Sequence, residues 1–89
     1  MAYPKDPKMI DKILRLPEVK NQTGAKRTTI YNRIAQGLIT KPISLGGRTV
    51  GWPESEIAKI NGARIAGRSE DEVRTLVQRL HEVRIKAAA

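Results

Sequence analysis

Arg27, Asn32 and Thr29 fall within one six-residue stretch of an 89-residue chain and carry the groups that read base-pair edges. A guanidinium such as that of Arg27 meets the O6 and N7 acceptors of guanine with two parallel N–H bonds. The carboxamide of Asn32 matches N6 and N7 of adenine, and Thr29 can meet a thymine methyl. Around them Lys26, Thr28 and Tyr31 suit phosphate oxygens. Ser44, Gly47, Arg48 and Thr49 of a later glycine-containing segment do the same. Two of these residues have a second reading. The stem of Arg33 covers apolar neighbours while its guanidinium reaches a phosphate, and the ring of Tyr31 either contacts DNA or packs on the segment that follows.

Such groups work only if a scaffold presents them together. Ile30 and Ile34 stand one helical turn apart, which predicts a helix over about 26–36, closed by Gly37, with Thr28 and Asn32 on the side opposite the isoleucines. Before it, Ile13 and Leu14 form a short extended piece. Pro17 opens a brief helix with Leu16 and Val19 inward, and Gly24 ends that helix by taking a left-handed conformation. Two helices joined at a glycine make a helix-turn-helix. In KPISLGGRTVGW, Ile43 and Leu45 alternate with Ser44, Gly46-Gly47 marks a turn, and Val50 and Trp52 alternate again. This predicts a β-hairpin with Arg48 at its tip, a wing beside the reading helix.

Pro53 then starts a third helix with Glu54 and Glu56 in its first turn, Ile57, Ile60 and Ile65 covering the back of the core, and Gly67 ending it. Ser69 and Glu72 are spaced as a capping box for a fourth helix. Its apolar positions Val73, Leu76, Leu80 and Val83, with Val77 beside them, keep coiled-coil spacing and are the candidates for self-association. That helix either folds back on its own domain or contacts a second subunit. The expected fold is mainly α with a small β-hairpin wing: a winged helix-turn-helix plus a C-terminal helix. Its divisions are a flexible arm over 1–12, a DNA-binding domain over 13–68 and an amphipathic helix over 69–89. Lys5 and Lys8 of the arm suit a minor-groove contact.

Charge follows the same division. The chain holds 17 Lys and Arg against 9 Asp and Glu, a net charge of +8, and the excess lies before residue 53. A field so concentrated attracts a polyanion, with duplex DNA ahead of a membrane surface or an acidic protein. Without cysteine, disulfides and thiolate-bound zinc are excluded, and no apolar run approaches membrane-spanning length. The lone His81 has no second ligand at metal spacing and no nucleophile beside it, and Gly46-Gly47 lacks the lysine of a phosphate-binding loop. No enzyme, metal or cofactor is expected, and the location expected is the cytoplasm, on DNA.

The run from Arg15 to Arg68, with RLPEV, TG-x-x-R-x-T-I-Y-x-x-I and K-P-I-x-L-G-G-R-x-V-G-W, resembles the AlpA family of prophage and mobile-element regulators, relatives of excisionases and of MerR-type DNA-binding domains. The resemblance implies a winged-helix protein that binds double-stranded DNA. Its role would be that of an excisionase, or recombination directionality factor, which binds repeated sites and bends DNA so that integrase excises the element. Integrase and further copies of the chain are then its partners. Activation of integrase or excision genes is the alternative, and a protein-interaction module for an acidic partner is the alternative from another class. Two positions depart from the family pattern. Lys26 stands where Ser is common, removing a helix cap, and Ile60 stands where Trp is usual.

Overall fold

Trp52 organises the interior. Its indole is fully buried, its Nε1–H donates to the carbonyl of Thr40 at 3.0 Å, and Leu14, Val19, Ile30, Ile39 and Ile57 close around it. The structure is a computed structural model and describes residues 11–88. Its elements in chain order are β1 (Ile13–Leu14), α1 (Leu16–Thr23), α2 (Arg27–Ala35), β2 (Ile43–Gly46), β3 (Thr49–Pro53), α3 (Glu54–Ile65) and α4 (Glu70–Ala88). The architecture is therefore mainly α with a small antiparallel sheet, ordered β1-β3-β2.

Local chemistry explains most of the boundaries. Pro17 sits in the first turn of α1, and Glu18 accepts the Arg15 N–H at 2.9 Å. Gly24 takes φ 70°, which lets its N–H reach the Lys20 carbonyl at 2.9 Å and turns the chain into α2. At the far end of α2, Gly37 takes φ 77°. Its N–H donates to Ile34 and that of Leu38 to Arg33, the pairing of a Schellman motif, so the last carbonyls are satisfied. Ser69 and Glu72 form the expected reciprocal cap on α4, at 2.9 and 3.2 Å.

β1 pairs with β3 (Ile13 with Pro53, Leu14 with Trp52), and β2 pairs with β3 across the Gly47-Arg48 turn. The folded part begins earlier than residue 13. The Lys12 carbonyl accepts from Glu54 N–H at 2.7 Å, and the Asp11 carboxylate accepts from the Ser55 backbone at 3.1 Å and its hydroxyl at 2.5 Å, so these two residues cap α3. The arm contacts expected of Lys5 and Lys8 lie outside the described residues.

A second apolar cluster joins α4 to the rest: Leu38 and Ile60 against Val73, Val77 and Leu80. Two apolar positions depart from expectation. Ile65 is 86% exposed instead of covering the core, because it lies about 140° round the helix from Ile60, which faces α4. Leu45 is exposed rather than inward: the β2–β3 register shifts between Ser44 and Gly46, so Leu45 is the extra residue of a bulge.

Candidate nucleic-acid interface

The second helix buries one edge and presents the other. Ile30 is fully buried, Thr29, Arg33 and Ile34 are half-buried, and Arg27, Thr28, Tyr31 and Asn32 are exposed along one side. The helical repeat accounts for most of this: with Ile30 buried among Trp52 and Val19, Thr28 and Asn32, two residues either side, point away from the core, while Arg27 and Tyr31 lie on the flank between. Of the residues expected to meet bases, Arg27 and Asn32 are thus free to do so and Thr29 lies at the margin.

The leading end of α2 is chemically unusual. Lys26 occupies the N-cap with extended backbone and makes no side-chain cap, and the first turn contains no acidic residue. The other helices follow the rule that stabilises a helix start: α1 has Glu18 in its first turn, α3 has Glu54 and Glu56, and α4 has Glu70, Asp71 and Glu72. Among the described helices only α2 sets cations, Lys26 and Arg27, against the positive end of its own dipole with no carboxylate in its first turn. That arrangement costs helix stability and leaves an electropositive site for an anion.

Arg27 and Tyr31 stand one turn apart, and the guanidinium lies 5.3 Å from the ring centroid. Tyr31 in turn meets Trp52 edge-on, 6.5 Å between centroids at 68°. Packing toward β3 is therefore the geometry of Tyr31, and at 36% exposure part of its ring remains open to solvent. Arg33 is half-buried, and burial followed by the charge of Arg64 pushes its guanidinium below the ordinary value. It sits off the exposed stripe.

The hairpin brings Arg48 to its turn, exposed, with Ser44 and Gly47 exposed and Thr49 half-buried. One contact that the sequence does not announce secures it: Arg15 Nε–H donates to the Val50 carbonyl at 2.9 Å. Ser44 is in part internal to the bulge, its hydroxyl accepting from Gly46 N–H at 3.4 Å.

The fourth helix holds the reading elements from behind. Arg74 Nε–H donates to the Gln36 carbonyl at 2.8 Å, at the end of α2. Arg84 donates to both oxygens of Glu56, at 2.6 and 2.8 Å, and to the Lys41 carbonyl at 2.8 Å, while His81 Nε2 accepts from Lys41 N–H at 3.0 Å. Burial, then Arg84, then Lys41 push the His81 pKa below its usual value against the opposing pull of Glu56. None of these links has a periodic signature. Contacts between residues about forty apart are set by how elements dock, and only the basic positions themselves were visible.

The self-association candidates divide. Val73 and Leu80 are buried in the chain's own second cluster: of the two arrangements open to α4, it folds back and sets them against Ile60 and Leu38. Leu76 is half-buried, and Val83 is 52% exposed, although Arg84 beside it is paired with Glu56 of α3.

Comparison with known proteins agrees with this geometry. The family model described as Prophage CP4-57 regulatory protein (AlpA) matches residues 12–60, from the strand that pairs with the hairpin base through the first half of α3. The protein called Uncharacterized protein ORF88, of Enterobacteria phage P4, is 43% identical over 58 residues, 65% of this chain and 66% of that protein. The chain thus spans just under two thirds of that relative's length. No solved structure matches.

Proposed function

The chain belongs to the AlpA family of prophage regulatory proteins, DNA-binding regulators of the phage type, and from that premise we propose that it binds double-stranded DNA with α2 in the major groove and the hairpin turn on the backbone. The observation that carries this reading is the leading end of α2. A cationic, uncapped, acid-free helix start is retained at a cost in stability, which an anionic partner offsets. Arg27 and Asn32 read base edges. Lys26, Thr28 and Arg48 hold phosphates, with Arg33 reaching one from the flank.

Its role is that of an excisionase: copies bind repeated sites near an attachment site and bend the duplex so that integrase acts in the excising direction. Because α4 is packed on its own domain, contact between neighbouring copies falls to the hairpin side and to the exposed flank of α4 that carries Val83. The regulatory character of the family favours a second reading, activation of an integrase or excision gene. Footprinting across the attachment region and the integrase promoter separates them. Protection of several spaced repeats at the attachment site, abolished by Arg27→Ala, is the expected result. One protected site at the promoter alone transfers the assignment to activation, and no protection in low salt removes the DNA reading.

A further inference from the structure

We propose that Tyr31 is a positioning residue for Arg27, and that through Tyr31 the readout of a base pair by the first turn of α2 depends on the hairpin strand β3. The inference deepens the DNA-binding reading and rests on it.

A long, flexible side chain that must meet two acceptors at fixed spacing loses affinity to the entropy of ordering, unless something orders it beforehand. Carboxylates do this elsewhere in the chain: Glu72 for Arg68, Glu70 and Asp71 for Arg74, Glu56 for Arg84. Arg27 has no carboxylate within ion-pair reach among the described residues. Its restraint is the Tyr31 ring, 5.3 Å away and one turn on. A carboxylate would occupy the N–H fork. An aromatic face attracts the cation while leaving its in-plane N–H groups unspent for a ligand with two adjacent acceptors, such as the edge of a guanine.

The support is itself fixed. Tyr31 rests edge-on against Trp52, which is fully buried and tied by its Nε1–H to the Thr40 carbonyl. A continuous series of contacts therefore runs from the Arg27 guanidinium to the strand that carries the hairpin. Tyr31 and Trp52 are two of only three aromatic residues in the chain, so this stack uses most of its aromatic surface at one place.

The test starts from duplexes selected by the wild-type protein from a randomised pool, and from the one base pair whose preference Arg27→Ala erases. Tyr31→Phe keeps the ring and is expected to retain that preference. Tyr31→Leu is expected to lower it by about two- to fivefold, the value of an exposed cation–π contact, and to weaken binding to a scrambled duplex by less. In the Arg27→Ala background, Tyr31→Leu should add nothing. Equal weakening on selected and scrambled duplexes, or an undiminished effect in the Arg27→Ala background, overturns the proposal.

If the wild-type protein selects no sequence, the DNA reading has failed, and the pairing is still decided on the free protein. The Arg27 Nε resonance should be displaced by the ring current and should move in Tyr31→Leu but not in Tyr31→Phe. An Arg27 resonance indifferent to both substitutions refutes the pairing.

Discussion

Salt dependence tests the reading face quantitatively. Lys26, Arg27 and Arg48 are exposed, Arg33 is half-buried, and among the described residues none of the four is ion-paired, whereas Arg68, Arg74 and Arg84 are. With Arg27 committed to a base edge, the other three neutralise phosphates, so the slope of log K against log salt is about −2.7 and affinity falls about 40-fold between roughly 50 and 200 mM salt. Arg48→Ala removes one contact, so the slope becomes about −1.8 and the loss over the same range about 12-fold. Arg68→Ala, which removes a cation already paired with Glu72 at the start of α4, should leave the slope unchanged. Fluorescence anisotropy of a labelled duplex across a salt series measures all three. A wild-type slope shallower than about −2, or an Arg48→Ala slope equal to wild type, would show that the hairpin turn does not lie on the backbone.

Three further outcomes follow from the contacts behind and beneath that face. Arg84→Ala strips both hydrogen bonds from Glu56, which is only 5% exposed, and should cost about 3 kcal/mol. Calorimetry would record this as a melting point lower by roughly 12–24 °C. Replacing both partners by Met should restore most of it, and a drop in Arg84→Ala below about 4 °C refutes the assignment. His81 has its folded pKa below 6.5, so the unfolded chain takes up the proton first; its stabilisation is complete above that value and lost as pH falls below it. The urea midpoint should therefore fall between about pH 7 and 5 in wild type and fall less in His81→Gln, whose amide oxygen can still accept from Lys41. Finally, Lys26→Ser supplies the missing cap and should stabilise α2 by about 0.5–1 kcal/mol while weakening DNA binding. A variant that is both less stable and unchanged in affinity contradicts the assigned role of Lys26.

What was legible in the sequence was what neighbouring residues decide. Gly24, Gly37, Pro17 and the Ser69–Glu72 cap act over one turn, and each lies where its chemistry requires. Apolar spacing places Ile30, Ile57 and Ile60 in the interior for the same reason. Long-range choices were not legible. Ile65 and Val83 have the spacing of core residues, yet α3 and α4 dock so that Ile60, Val77 and Leu80 fill the contact and Ile65 and Val83 are turned out of it. Leu45 fits a regular alternation that a single bulge cancels. In the candidate site, the exposed stripe of α2 follows from its period. The half-burial of Arg33 against Arg64, and the clasp of Arg15 on Val50, depend on docking that no local pattern encodes.

The costs at the leading end of α2 and the fastenings at its far end are connected. A short helix that begins with two cations and no cap does not hold itself, since most helical stability in a nine-residue segment comes from tertiary contacts. Here those contacts are Ile30 in the main core, Arg74 on the Gln36 carbonyl, and Leu38 gripped by α4. The C-terminal helix lies beyond the part matched by the family model, so it supplies from outside the shared domain the support that the electropositive helix start forgoes. On this account Lys26→Ser should partly rescue the thermal stability of Arg74→Ala, because one strengthens from the N-terminal end the helix that the other loosens at its C-terminal end. A double variant whose melting point equals that of Arg74→Ala alone would mean that α4 braces the hairpin connection and not the reading helix.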